Sequence, residues 1–496
     1  MRPPIAVALL LASLFHVVPP APAGAQEPNE AMRAALDHAT ELEGEVERMA
    51  MRLWDYSEIA LREVRSADLL AGVLQEEGFT VERGVAGMPT AFVATWGEGA
   101  PVVGILAEYD ALPGIGNAVE PRRSPREDGY AHGQGCGHNL FGAASVGAAL
   151  ALKRAMEDEG VSGTVKLFGT PAEETVVGKV YMARDGVFDG LDAVLEWHPG
   201  QETQVNNNAG LAMNNFEIEY HGQAAHGAAD PWNGRSALDA VELLDYGVNL
   251  MREHIRPSAR IHYVIPSAGE APNVVPEYAK AWYYVRDTVR SEVEKEYAWV
   301  LDIAAAAAQA TRTTHEVTLV TGVHSYNLNR PLQEALQRNL ERVGPAGFTE
   351  EDQAFAKDLQ AFLEVDQKGL VGEIEPLEDG PETPSGGSTD VAEVSWLAPT
   401  AGISVTTAAA GVPWHSWATA ASHGTTGAVR GAWVAAKVLA MTGAELMTRE
   451  ELLAAARETF EASTEGRPYV SPLPAGQTPP VPDDIAGGSG EGGGRN

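Results

Sequence analysis

A chain with one cysteine in 496 residues cannot close an internal disulfide, so it is no disulfide-stapled scaffold. Positive charge is also scarce. Against 69 Asp and Glu stand 35 Lys and Arg, leaving a formal net charge of −34. Such a surface repels phosphate backbones and anionic membranes, which argues against nucleic acid as a partner. Beyond the N-terminus no apolar run approaches the length of a membrane span. What is present is a composition 44% hydrophobic with 52 Gly and 31 Pro, enough to bury a sizeable interior. The length fits two or three domains, or one large core carrying an insertion.

Arg2 precedes an apolar run from Ile5 to Val18, short for a bilayer span, and Ala23-Gly24-Ala25 offers a cleavage site before Gln26. We read residues 1–25 as an export signal and expect a soluble mature chain, periplasmic or secreted, with no membrane partner after cleavage. An uncleaved anchor is the competing reading. Export sharpens the question of the lone thiol, Cys136. In an oxidising compartment a free thiol is a liability unless it is buried or ligated.

Helical periodicity over 29–57 and 63–79 is followed by strand-like runs at 90–97, 101–110, 163–174 and 191–200, with a small-residue helix at 139–160. Strands alternating with helices argue for an α/β sandwich. From about 210 to 326 the pattern becomes strand, helix, strand, helix, strand, and reads as a compact domain inserted into a larger one. The larger domain then occupies 26–209 and 327–465. The Pro/Gly-rich end, 466–496, is expected to be disordered. The acidic segment 349–379 suggests no role.

Four short segments place metal-liking side chains where strand-like runs end: Cys136 and His138 in GCGHN, Glu173 and Glu174 in GTPAEE, His198 in EWHPG, and His415 in GVPWHSW. Groups at strand ends are where open α/β sheets collect their chemistry. Thiolate, imidazole and carboxylate together suit a borderline divalent metal such as zinc or manganese. Singly, each has a plain structural explanation. A lone cysteine is usually a small core hydrophobe, but Cys136 sits between two glycines in a polar loop. A nucleophilic role for Cys136 with His138 as base would leave Glu173, Glu174 and His198 without work.

The segments GILAEYDALPGIGNA, GCGHNLFGAASVGAALALK, GTPAEE, HGQAAHGAADPWNGRSALDAV, NVVPEYAKAWYYVRD and STDVAEVSWLAPT…GVPWHSW occur in this order. Together they resemble the aminoacylase/carboxypeptidase family of two-metal hydrolases, peptidase clan MH, in its amidohydrolase branch. The resemblance implies an α/β fold: a central mixed sheet flanked by helices, like a zinc exopeptidase, with an inserted ferredoxin-like α+β lid that mediates dimerisation. It also implies two divalent ions per subunit, zinc or manganese. Cys136 would bridge them where other branches use aspartate. His138, Glu174, His198 and His415 would be the other ligands, with Glu174 and His198 on one side and His415 serving the other ion.

His423 is a rival for that last position. Glu108 occupies the place of a ligand histidine in other branches and is not itself read as a ligand, while Asp110 orients the site from behind. Glu173 would be the general base. On the lid, His226 resembles the histidine that reaches a neighbouring active site. Asn273 and Arg286 look like substrate-side groups, Arg286 suited to a carboxylate unless it simply pairs with Asp287. The implied reaction is hydrolysis of the amide of an N-acyl or N-aroyl amino acid, p-aminobenzoyl-glutamate foremost, with short peptides as the alternative. A homodimer is implied, with pairing to a homologous partner chain as the alternative. A binding protein on a hydrolase scaffold is the non-enzymatic reading, disfavoured because a binder has no use for the base.

Overall fold

Residues 27–486 are described by the computed structural model. The export signal expected over 1–25 lies outside them. Eleven strands are found among the described residues: β1 (Thr80–Arg83), β2 (Phe92–Glu98), β3 (Val102–Ala107), β4 (Gly163–Gly169), β5 (Ala193–Gly200), β6 (Gln204–Val205), β7 (Ala212–His221), β8 (Arg260–Ser267), β9 (Tyr278–Asp287), β10 (Thr314–Val323) and β11 (Thr400–Thr406).

The apolar runs VVGILA and AVLEW supply the middle of a seven-stranded sheet in the order β1-β2-β4-β3-β5-β11-β6. β3, β4, β5 and β11 run parallel, and β1, β2 and β6 pair antiparallel toward the edges. Continuous apolar runs of this kind are what a strand buried on both faces requires. Helices Glu30–Glu41, His138–Glu159 and Thr426–Thr448 pack on one another and, through the last two, on the sheet. β1 and β6 are short edge strands with no alternation to betray them, and the sequence reading passes over both.

The second sheet is fully antiparallel, ordered β10-β7-β9-β8. Alternation places Phe216, Ile218, Tyr220, Ala281, Tyr283 and Val285 in a separate core with the helices Ala237–Met251 and Arg290–Thr311. The unit is therefore strand-helix-strand-strand-helix-strand. β8 is the strand that the sequence pattern omits. Its register slips between Val264 and Ser267, around Pro266, so its alternation is broken. Entry and exit of the lid meet where Tyr326 N–H donates to Ala209 O at 2.8 Å.

The disorder expected from residue 466 onward is corrected as far as Ala486. Leu473 is buried, Tyr469 donates its hydroxyl to Glu393, and the Gln477 amide donates to Leu319 O at 2.8 Å and Val320 O at 3.2 Å. Those carbonyls lie at the β10 bulge between Leu319 and Thr321. A Pro-rich segment builds no core of its own, but it can be held in place by unpaired carbonyls and a few apolar contacts.

Candidate active site

The parallel strands deliver the site at their C-terminal ends. Glu108 and Asp110 follow β3, Glu173 and Glu174 follow β4, His198 lies near the end of β5, and the loop after β11 leads to His415. Cys136 precedes the helix that begins at His138. Its glycine neighbours are dictated by space. Gly137 is left-handed, with φ of +83°, and a Cβ there would lie 2.9 Å from Pro199 Cβ and 3.0 Å from the His423 ring. A Cβ on Gly135 would lie 2.3 Å from Ile115 Cδ1. Cys136 is buried, with Sγ 3.3 Å from His198 Nε2 and accepting from Trp414 Nε1 at 3.4 Å. Burial, with the Glu174 charge, pushes its thiol up to about 12.

His138 and His198 are each oriented through Nδ1 so that Nε2 faces the cluster. His138 Nδ1 lies 2.8 Å from Asp110 Oδ1, and the other Asp110 oxygen accepts the Glu174 backbone N–H at 2.9 Å. His138 Nε2 then faces Glu108 Oε2 at 3.1 Å and Glu173 Oε2 at 4.0 Å. His198 Nδ1 donates to Pro199 O at 2.7 Å, and burial with the nearby His138 charge lowers this imidazole to about 4. His415 Nε2 is 3.4 Å from Glu174 Oε2. Backbone strain gathers here: Ala172, Val176 and His415 are left-handed at φ of +60°, +57° and +55°. Each such residue costs about 1–3 kcal/mol and persists only where the surroundings impose it.

Two groups of three donors share Cys136: Cys136, His138 and His198 form one, and Cys136, Glu174 and His415 the other. Glu174 therefore stands with His415, not with His198 as the resemblance suggests. The donor set fits a metal. Buried Glu174 Oε1 lacks any hydrogen-bond partner, a costly state for an atom with nothing to bind. The 3.3 and 3.4 Å donor spacings approach those expected around an ion with bonds of about 2.0–2.3 Å. Glu173, with 12% of its side chain exposed, stands beside the donors. Burial, with Glu108 and Asp390 next to it, pushes its carboxyl well above the usual range.

His423 is a different kind of residue. Both ring nitrogens are engaged, Nδ1 with Gln134 O at 2.7 Å and Nε2 with Thr407 Oγ1 at 3.2 Å. It props the Cys136 turn from beneath. His423→Ala is expected to lower stability by about 1–3 kcal/mol while leaving bound metal unchanged, and His415→Ala the reverse. Denaturant midpoints alongside metal analysis separate the two. The acidic segment acquires a purpose. Its helix Glu350–Phe362 begins with a capping box at Thr349 and Asp352, and Gln360 donates to Ala410 O at 2.7 Å, buttressing the loop that leads to His415.

The lid residues stand apart from the donors. His226 is exposed, and its Nδ1 accepts the N–H groups of Ala228 and Ala229 at 3.2 and 3.1 Å. Asn273 is adjacent, its carbonyl accepting from Gly227 N–H at 2.8 Å. Arg286 does not pair with Asp287, because alternation along β9 sends the two side chains to opposite faces. Its Nη1 instead donates to Ser388 Oγ at 3.3 Å, and its buried Nε has no hydrogen-bond partner. The sequence reading missed Lys179, Asp390 and Trp414. A buried lysine beside the centre has no spacing signature.

A mixed α/β sheet with an inserted lid, and a cysteine-centred donor cluster beside a glutamate, define a metal-dependent amide-bond hydrolase. The chain belongs to the peptidase family M20/M25/M40, whose family model matches residues 104–477. It is 37% identical over 461 residues to one of the p-aminobenzoyl-glutamate hydrolase subunits of Escherichia coli, covering 87% of this chain and 95% of that one. It is also 33% identical over 331 residues to the mouse Xaa-Arg dipeptidase, covering 64% and 72%. Among solved structures, a Bacillus subtilis dinuclear metal-binding peptidase of the M20 family superposes with a TM-score of 0.55 at 18% identity, covering 82% of this chain and 99% of that one.

Proposed function

We propose that the protein hydrolyses the amide bond of N-acyl or N-aroyl amino acids at a pair of divalent ions, zinc or manganese, with p-aminobenzoyl-glutamate its foremost substrate. The observation that carries this is the pair of donor triads sharing Cys136, with Glu173 alongside. Cys136, His138 and His198 would hold one ion, and Cys136, Glu174 and His415 the other. When bound, the ions supply Lewis acidity toward water and the amide carbonyl.

The chain's own groups do the rest. Glu173 takes a proton from the attacking water and returns it to the departing amine nitrogen. Asp110 fixes the His138 ring and turns Nε2 toward the carboxylates of the centre. Arg286 and Asn273 receive the substrate carboxylate. Arg286→Met is expected to raise KM for a carboxylate-bearing conjugate about 10–100-fold, with kcat within a few-fold. Equal KM values in steady-state assays would remove Arg286 from this role.

A homodimer completes the site. His226 has a free Nε2 in solvent, suited to a neighbouring protomer's substrate. Exposed Leu243, Tyr246 and Leu250 on the lid helix, with Val264 and Ile265 on edge strand β8, give the lid an apolar surface to pair. The E. coli relative is named as one of two kinds of subunit, which keeps a heteromer as the alternative. The N-terminal sequence supports export, and an exported enzyme would meet conjugates or short peptides outside the cytosol. The likeness to a dipeptidase favours short peptides as the second reading.

The test is amine release from p-aminobenzoyl-glutamate by the purified mature chain, with manganese and after chelation. Activity lost with chelator and restored by manganese supports the reading. Activity indifferent to chelator overturns it, and cleavage of dipeptides alone moves the second reading forward.

A further inference from the structure

Lys179 and Asp390 belong to neither donor triad, yet both are fully buried beside the centre. The segment joining β4 to the helix Gly178–Arg184 carries Glu173 and Glu174. Three backbone N–H groups, two along it and one in the first turn of that helix, are each held by a buried carboxylate from a different part of the chain. Ala172 N–H donates to Glu63 Oε1 at 2.9 Å, Glu174 N–H to Asp110 Oδ2 at 2.9 Å, and Lys179 N–H to Asp390 Oδ2 at 2.8 Å. The ammonium of Lys179 then doubles the last anchor. Nζ lies 2.5 Å from Asp390 Oδ1 and 2.7 Å from Glu108 Oε1.

This loop needs holding. Ala172 and Val176, on either side of the two glutamates, are both left-handed, and β-branched Val176 takes that conformation only under constraint. Carboxylates gathered in a buried space also repel one another, and Lys179 offsets the charge of two of them while tying them to the helix that follows the loop. Only one donor triad draws on the loop. Glu174 comes from it, whereas Cys136, His138 and His198 come from the helix start and β5.

We propose that Lys179 and Asp390 are positioning residues whose clamp presents Glu173 and Glu174, the Asp390 anchor serving the Glu174–His415 half of the centre, while Lys179 also reaches the His138 half through Glu108, which lies 3.1 Å from His138 Nε2. This rests on the two-ion reading of the site. Metal content of the unaltered full chain after gel filtration tests that reading first, since fewer than two ions would sink it before any variant is made. Asp390→Ala removes the backbone anchor and leaves Lys179 with Glu108. It is expected to retain one ion of the two, with kcat reduced at least 100-fold and KM within threefold. Asp390→Asn keeps an oxygen for the Lys179 N–H and is expected to retain both ions with kcat within tenfold of the unaltered enzyme. Two ions and unchanged kcat in Asp390→Ala would overturn the proposal. So would equal damage in both variants, because asparagine keeps the oxygen that anchors the Lys179 N–H and alanine does not. If Asp390→Ala does not fold, Lys179→Gln, which keeps one donor for the two carboxylates, is read in its place, and two ions with unchanged kcat in it would equally overturn the proposal.

Discussion

Glu173→Gln is expected to lower kcat by about 10²–10⁴-fold while the protein keeps its metal and its melting temperature. The substitution is nearly isosteric, and Glu173 belongs to neither triad that contains Cys136. What it removes is the ability to accept a proton from water and hand it to the leaving amine. The geometry carries a second, competing grouping, in which Glu173 joins Glu108 and His138. If that grouping were the metal site, the glutamine variant would lose metal along with turnover. Metal analysis beside single-turnover kinetics separates the two: full metal with little turnover supports the base, and parallel loss of both would make Glu173 a ligand. The neighbourhood argues for the base. Lys179 already neutralises Glu108 at 2.7 Å, so Glu108 is committed to a cation and poorly placed to act as a free ligand.

Much of this was legible in the sequence because the chemistry is concentrated at strand ends. Apolar runs at 101–110 and 191–200 announce β3 and β5, and the residues after them are the ones the sheet presents. The GCGHN turn is readable for the same reason: glycines on both sides of a thiol have no packing purpose except close approach, which the 2.3 Å and 2.9 Å encounters of a notional Cβ at Gly135 and Gly137 bear out. What escapes the sequence is whatever depends on long-range pairing. β8 hides behind a bulge and a proline. Lys179 looks like an ordinary helix lysine until Glu108 and Asp390, separated from it by 71 and 211 positions, are brought to its ammonium. The tail beyond residue 466 has the composition of a disordered segment, and nothing local reveals that the β10 bulge will offer it two carbonyls. The GVPWHSW motif already prefers His415 over His423, and the engagement of both His423 ring nitrogens favours the same choice.

Cys136→Ser is expected to abolish binding of both ions at once, beyond the roughly 10–100-fold affinity loss typical of removing an outer-shell partner, and to abolish turnover with them. The reason is that Cys136 is the one donor common to both triads. A serine hydroxyl of similar size does not ionise readily enough to take over, because a donor shared by two cations must be an anion. The thiol is poised for the same requirement. Burial raises it to about 12 when no cation is near, so the free thiol is a neutral, slow nucleophile, and only a bound cation makes it a thiolate. Cys136→Asp restores an anion and is expected to recover measurable metal and activity, which Cys136→Ser does not. The contrary result is as informative. If Cys136→Ser kept both ions but lost activity, and iodoacetamide inactivated the metal-loaded enzyme, Cys136 would be a nucleophile. The burial of its sulfur between His198 and the Trp414 indole is the arrangement of a ligand, shielded from oxidants and from substrate alike, and it accounts for the lone thiol.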